Sequence, residues 1–261
     1  MRIFSMKSFA LLSIVALVLV VTQIAQASTI QLGIRSGTAT AGGTAPTLCG
    51  PTDSFTPRVP CVGTNTVIIT EGSALAGAVD TNGMASAITW SGTIGPWDLV
   101  VEGTGFDYLG LGRMDLNFSV MASGTPMDTL EIYFTQSGNP KTSPFPSPLF
   151  RMDLDGTAEF GTITYRAGLC NLNMVDFMTA TSLGQRGPVG PGSFDLNWLG
   201  GPGPTQNSPY SLTQKVQITA SGAGAHYSGL AELQPVPEPT SILLFGTGLV
   251  ALGLGAWRRR K

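Results

Sequence analysis

Few residues in this chain have the means to do chemistry. His226 is the single histidine. A histidine-based zinc site needs several such ligands, and no cysteine cluster replaces them, so structural or catalytic zinc is not expected. A serine–histidine–acid triad has His226 as its only base, yet no G-x-S-x-G elbow occurs, and "SGAGAH" suggests a solvated turn. The glycine stretches "GTGFDYLG" and "GLGRMD" lack phosphate-loop spacing and open no helix. One cation candidate stands out in "RMDLDGTAEFG", where Asp153, Asp155 and Glu159 lie near Gly156. Asp-x-Asp-Gly begins a calcium loop, but the third acidic position and the closing bidentate glutamate are missing. An Asp-Gly turn between strands is the expectation here, with Ca2+ at Asp153 and Asp155 as the lesser alternative.

Glycosidase chemistry needs two carboxylates facing each other across a cleft. Asp98, Glu102, Asp107, Asp115 and Glu131 are available, and nothing in the sequence pairs them. Trp90, Trp97 and Trp198 are either sugar-stacking platforms, whose flat faces suit a pyranose, or core. In a chain so rich in small residues, core is the expectation. No catalytic residue, cofactor or metal ligand is therefore assigned, and the chain is expected not to be an enzyme.

Three cysteines remain to be placed. Cys49 and Cys61 enclose "GPTDSFTPRVP", whose prolines favour a compact loop, and they form the natural disulfide in an oxidising compartment. A ring this small contributes roughly 2–3 kcal/mol. Cys170 is left over and is expected buried and inert, because a free thiol behaves as a small hydrophobe.

The elements that must position these residues are short alternating runs set between turn residues. They are Ile30–Ile34, "NTVIIT" at 65–70, "MASAITWS" at 84–91, "WDLVVEG" at 97–103, "MDLNFSVMASG" at 114–124 and "TLEIYFTQSG" at 129–138. "GTAEFGTITYRA" at 156–167, "SFDLNWL" at 193–199, "QKVQITASG" at 214–222 and "YSGLAELQP" at 227–235 continue the pattern. Period-2 alternation with almost no helical period predicts an all-β sandwich, of jelly-roll or Ig-like type. Leu116, Phe118 and Val120 are expected to pair with Leu130, Ile132 and Phe134 as a hairpin across "SGTPMD". The proline-rich 141–148 and the Gly/Pro-rich 184–209 are expected to be long surface loops, with the island Phe194–Leu199 docking on the sheet. "NLNMVDFMTAT" at 171–181 is the one short helix candidate.

Both termini carry addresses. Arg2 and Lys7 precede an apolar run from Phe9 to Val21, and Ala25-Gln26-Ala27 places small residues where a signal peptidase looks. Residues 1–27 are thus expected to be a helical signal peptide cleaved after Ala27. At the other end Ile242–Trp257 is uncharged for sixteen residues, a rise of about 24 Å as a helix and slightly under a full membrane span. Arg258, Arg259, Arg260 and Lys261 follow at once, a basic stop-transfer cluster that stays cytoplasmic. The body between is then extracytoplasmic. It holds eight Lys and Arg against fifteen Asp and Glu, a net charge of −7. Such a body argues against nucleic acid as a partner and suits a hydrated polysaccharide.

The ending "VPEPTSILLFGTGLVALGLGAWRRRK" is similar to the PEP-CTERM sorting signal. Pro237-Glu238-Pro239 is its motif, followed by a short transmembrane helix and a basic tail. Two prolines hold the segment before the membrane extended, as a processing enzyme's cleft requires. The resemblance implies processing by exosortase, a membrane enzyme resembling a transpeptidase, and delivery to the cell surface or exopolysaccharide matrix of a Gram-negative bacterium. The chain divides into 1–27 (signal), 28–235 (all-β extracytoplasmic domain) and 236–261 (sorting signal). The resulting expectation is an exosortase-sorted surface or matrix protein with a structural, binding β-sandwich, transiently held at the inner membrane. A secreted carbohydrate-active enzyme on the same fold is the alternative.

Overall fold

A computed structural model describes residues 29–38, 61–63, 65–72, 74–75, 78–81, 86–108, 111–123, 128–139, 149–170, 181–201 and 209–236. The signal segment with Ala25 and Ala27, Cys49, Pro237, Glu238 and Pro239, and Arg258, Arg259, Arg260 and Lys261 all lie outside the described residues, as does the helix candidate apart from Thr181. Every described element is a strand: β1 (Thr29–Thr38), β2 (Cys61–Gly63), β3 (Thr66–Thr70), β4 (Ala74–Leu75), β5 (Ala78–Val79), β6 (Ala87–Ile94), β7 (Trp97–Tyr108), β8 (Leu111–Ala122), β9 (Asp128–Asn139), β10 (Leu149–Ala158), β11 (Gly161–Cys170), β12 (Thr181–Val189), β13 (Gly192–Gly200), β14 (Tyr210–Ala220) and β15 (His226–Val236). β4 and β5 pair only with each other. The rest form two sheets, ordered β12-β11-β14-β9-β1-β3-β2 and β13-β10-β15-β8-β7-β6, with every pairing antiparallel. The described body is all-β and sandwich-like.

The alternation of the sequence explains which residues fill the layer between the sheets. Ile30, Leu32 and Ile34 of β1 and Leu130, Ile132 and Phe134 of β9 are fully buried on one side. Leu116, Phe118 and Val120 of β8 and Trp97, Leu99 and Val101 of β7 meet them from the other. Contact is close enough that the Phe134 ring occupies the space a side chain at Gly103 would need, 2.4 Å from an added Cβ.

Two expectations fail here, for physical reasons. β8 and β9 are not a hairpin: β8 pairs with β7 and β15, whereas β9 pairs with β1 and β14. Their apolar faces oppose each other across the core, so the "SGTPMD" connection crosses between sheets. From β8 onward every connection except β11–β12 makes such a crossing. Likewise, 184–209 is not one long loop: it holds the end of β12, against expectation, and β13, which matches the strand run at 193–199, one at the edge of each sheet. An edge position tolerates Pro188 and the glycines because one side of each strand needs no ladder partner. The island of β13 alternates as a strand should, with Trp198 buried and Phe194 and Leu196 packed partly against the core.

Polar ties join the sheets through the core. The Tyr165 hydroxyl of β11 donates to Gln214 Oε1 of β14 at 2.7 Å. Gln214 Nε2 in turn donates to the Met114 carbonyl of β8 at 3.0 Å. The Gly112 amide of β8 donates to the Tyr210 hydroxyl of β14, also at 3.0 Å. The buried Tyr165, Gln214 and Tyr210 side chains thereby keep the partners that burial demands.

Candidate functional site

The outer face of the six-stranded sheet gathers a group of carboxylates. Residues Arg151, Asp153, Asp155 and Thr157 of β10 alternate with the buried Phe150, Met152 and Leu154 and so point away from the core. Pairing places Asp153 opposite Glu232 of β15 and Asn197 of β13, and Asp155 opposite Leu230 and Asp195. Glu232 is opposite Asp115 of β8, and Leu230 is opposite Asn117. Glu102 of β7 lies beyond Asn117 in the same row. Side chains on directly opposed residues of one face sit roughly 4.5–5.5 Å apart at Cβ. Two acidic rows therefore cross the sheet.

Where β15, β10 and β13 meet, the face is concave. A groove of about 680 Å³ is lined by Arg151, Asp153, Asp155, Asp195, Asn197 and Glu232 among others, over a partly apolar floor from Phe194 and Leu230. Two arginines balance its rim: Arg151 Nε lies 2.7 Å from Asp153 Oδ2. Arg113 Nη2 lies 3.2 Å from Glu232 Oε1 and Arg113 Nε 3.5 Å from Asp115 Oδ1. Burial raises the Asp115 carboxyl above its ordinary range, with Arg113 opposing and Glu232 reinforcing the rise. Burial likewise raises Asp153, against Arg151 and aided by Glu232 and Asp195. Burial leads in both cases, and the neighbouring carboxylates add to it against the arginines.

"RMDLDGTAEFG" is not a turn. Asp153 and Asp155 lie two apart on β10, in mid-strand, and Glu159 follows the strand's end. Gly156 serves strand packing: with φ at 154°, an added Cβ would stand 2.1 Å from the Ser228 carbonyl. The tight loop that wraps calcium is absent here. Among the described residues no three His, Cys, Asp or Glu side chains are grouped to hold a metal.

The remaining expected residues scatter. His226 opens β15 rather than standing in a turn; its Nε2 lies 3.3 Å from Ser119 Oγ, while Glu159 accepts from its backbone amide. Asp98 accepts from Thr93 Oγ1 at 2.6 Å. Trp90, Trp97 and Trp198 are all buried, and the Trp198 ring packs between Tyr165 and the Arg186 guanidinium. Cys170 is buried and free, and Cys61 begins β2. Glu131 lies on the other sheet's outer face and has a different task. It pairs with Arg35, with Lys215 Nζ at 2.5 Å, and accepts from the Tyr133 hydroxyl at 2.7 Å. Burial would raise its carboxyl, but Lys215, Tyr133 and Arg35 together hold it below its ordinary value.

Asp195, Asn197 and Glu232 escaped sequence reasoning. The signal was present in "GSFDLNWLG", whose alternation separates Asp195 and Asn197 from Phe194, Leu196 and Trp198.

Beyond this groove, Val236 closes the last strand, paired with Leu149, and the tail follows without a spacer. Residues 235–261 match the PEP-CTERM protein-sorting motif. The motif implies secretion, C-terminal membrane anchoring before processing, and processing by exosortase. No curated protein sequence matches the chain. Among solved structures, the chain is similar to one of the carbohydrate-binding modules from the beta-sandwich super family, at 11% identity and a TM-score of 0.34 over 58% of this chain and 57% of that one. The match thus spans little more than half of that structure. A K1 cleaved adhesin domain of Lys-gingipain from Porphyromonas gingivalis is similar at 11% identity and TM-score 0.27, covering 58% of this chain and 98% of that chain. A family 11 carbohydrate-binding module of a Clostridium thermocellum cellulosomal cellulase is similar at 10% identity and TM-score 0.24, covering 60% and 92%. These are distant likenesses of shape.

Proposed function

We propose that this is an exosortase-sorted protein of the cell surface or exopolysaccharide matrix, whose sandwich has a non-catalytic role in binding glycan. The observation that carries this reading is the sorting motif fused directly to a complete β-sandwich. The groove on the six-stranded sheet supports the binding role. Its carboxylates and Asn197 accept and donate hydrogen bonds to hydroxyl groups, and Phe194 and Leu230 offer an apolar floor for a sugar face. The carboxylate excess disfavours uronate-rich polyanions, so a neutral or amino-sugar polymer is the fitting class. Buried tryptophans support a binding surface built on hydrogen bonds rather than on stacking.

One observation favours the enzymatic alternative: Asp153 and Glu232 face each other on paired strands, and burial raises Asp153. Glycoside hydrolysis of the retaining kind uses carboxyls about 5 Å apart. In the host, immunoblots of membrane, envelope and medium fractions with and without exosortase should show an exosortase-dependent shortening of the chain. A full-length form indifferent to the enzyme sinks the sorting reading. Secreted protein incubated with the host's exopolysaccharide should co-sediment with it and release no reducing ends. Release that is abolished by Asp153→Asn would establish the enzyme instead.

A further inference from the structure

The two ends of the described body leave from the same end of the sandwich. Thr29 of β1 pairs with Ser137 near the close of β9, and Tyr210, opening β14, pairs with Asn139. Tyr210 then reaches across the core to Gly112 at the start of β8, beside the close of β15, where Leu233 pairs with Met114. Only Pro237 to Ser241 separate Val236 from the apolar run that starts at Ile242. Five extended residues reach at most about 17 Å. With the tail in the membrane, Val236 stays within that distance of the start of the apolar run.

The chemistry of that end is graded in the matching order. Nearest the tail, Leu149 and Val236 form the last pair of the outer face, and Leu149 is 42% exposed. Leu199, at 57% exposure, lies in the next row, opposite Arg151. That row carries Arg151 and Gln234, and Arg113 stands beside Met114 on β8; both arginines reach back to carboxylates of the next row, Arg151 to Asp153 and Arg113 to Glu232 and Asp115. Carboxylates begin one row further back with Asp153, Glu232 and Asp115, then Asp155 and Asp195. Successive outward rows on a strand are about 7 Å apart. Apolar rim, arginines and then carboxylates repeat the sequence of interface, phosphate and water met on leaving a bilayer.

We infer that, while the tail is attached, this end of the sandwich rests on the phospholipid surface, with Leu149, Leu199 and Val236 at the interface and Arg151 and Arg113 at the phosphates. The inference rests on residues 242–257 acting as a membrane anchor. The groove then opens sideways along the membrane rather than away from it.

The test uses the full chain in vesicles of phosphatidylethanolamine and phosphatidylglycerol, with p-benzoylphenylalanine introduced for photocrosslinking. Leu199→p-benzoylphenylalanine probes the tail-side end, and Phe160→p-benzoylphenylalanine, in the turn at the opposite end, is the control. Both sites are 57% exposed, so neither substitution disturbs the core. Lipid adducts should form several-fold more at 199 than at 160 by mass spectrometry, and Arg151→Glu should reduce them. Equal yields at both sites in vesicle-bound protein overturn this inference alone. Protein that fails to float with the vesicles overturns the anchor reading as well. Adducts at 199 that form with co-reconstituted exosortase and not with lipid overturn it in favour of the enzyme.

Discussion

Glu131 illustrates how one residue type serves two purposes on two sheets. Its carboxylate is buried among Arg35, Lys215 and Tyr133, each of which favours the charged form. Removing the charge strands two cations, so Glu131→Gln should cost about 3 kcal/mol in urea unfolding at pH 7. Because the folded carboxyl is held below its ordinary value of 4.5, its contribution is complete above that pH and fades as pH falls through the folded value. The gap between variant and parent should therefore close in acid. Asp115 has the opposite sign, since burial raises its carboxyl. Keeping it charged opposes folding above the raised value, and acid relieves that cost. Asp115→Asn should then leave stability unchanged or slightly higher at pH 7, with no difference in acid. A loss at pH 7 as large as that of Glu131→Gln would refute this account of the acidic face.

At the scale of elements, alternation made most strands legible and pairing much less so. Inward residues of β1, β7, β8, β9, β14 and β15 follow from period-2 spacing because that spacing is local. Partnership is not local. "SGTPMD" looks like a hairpin loop, yet it carries the chain to the facing sheet, and its six residues contain nothing that distinguishes the two routes. β12 was obscured for another reason: glycine and proline mark turns in isolation and are tolerated at edges in context. The groove was lost because its lining is split among β10, β13 and β15, and nothing local in the sequence says that these strands lie side by side. Only Asp153 and Asp155 were singled out, and for a loop chemistry that their strand excludes. The facing of β7 and β9 makes its own prediction. Gly103→Val would drive a side chain into the Phe134 ring, and overpacking of this kind costs roughly 1–3 kcal/mol. Relief of that loss by Phe134→Leu in the double variant would confirm that the two strands meet across the core; additive losses would deny it.

Over the whole molecule, the sorting signal and the fold share a strand boundary. β15 lies in the interior of its sheet, between β10 and β8, and the PEP-CTERM match begins at residue 235 within it. A chain ending at residue 225 would leave β8 and β10 each with an open edge and the Ala231 and Leu233 positions of the core empty. Exposed edges of that length invite association. Such a chain should be recovered as aggregate, and a soluble monomer with a cooperative thermal transition would contradict the topology.

Ribosomes deliver β15 last. Its place in the middle of a sheet means that the sandwich stays incomplete until almost the entire chain has been made and exported. The residues that complete it are immediately followed by those that exosortase reads. A nascent chain that stops early therefore lacks both its keystone strand and its delivery label, so the population offered to the sorting enzyme consists of chains already able to close. A chain that carries the address thus also carries the strand that completes the sheet.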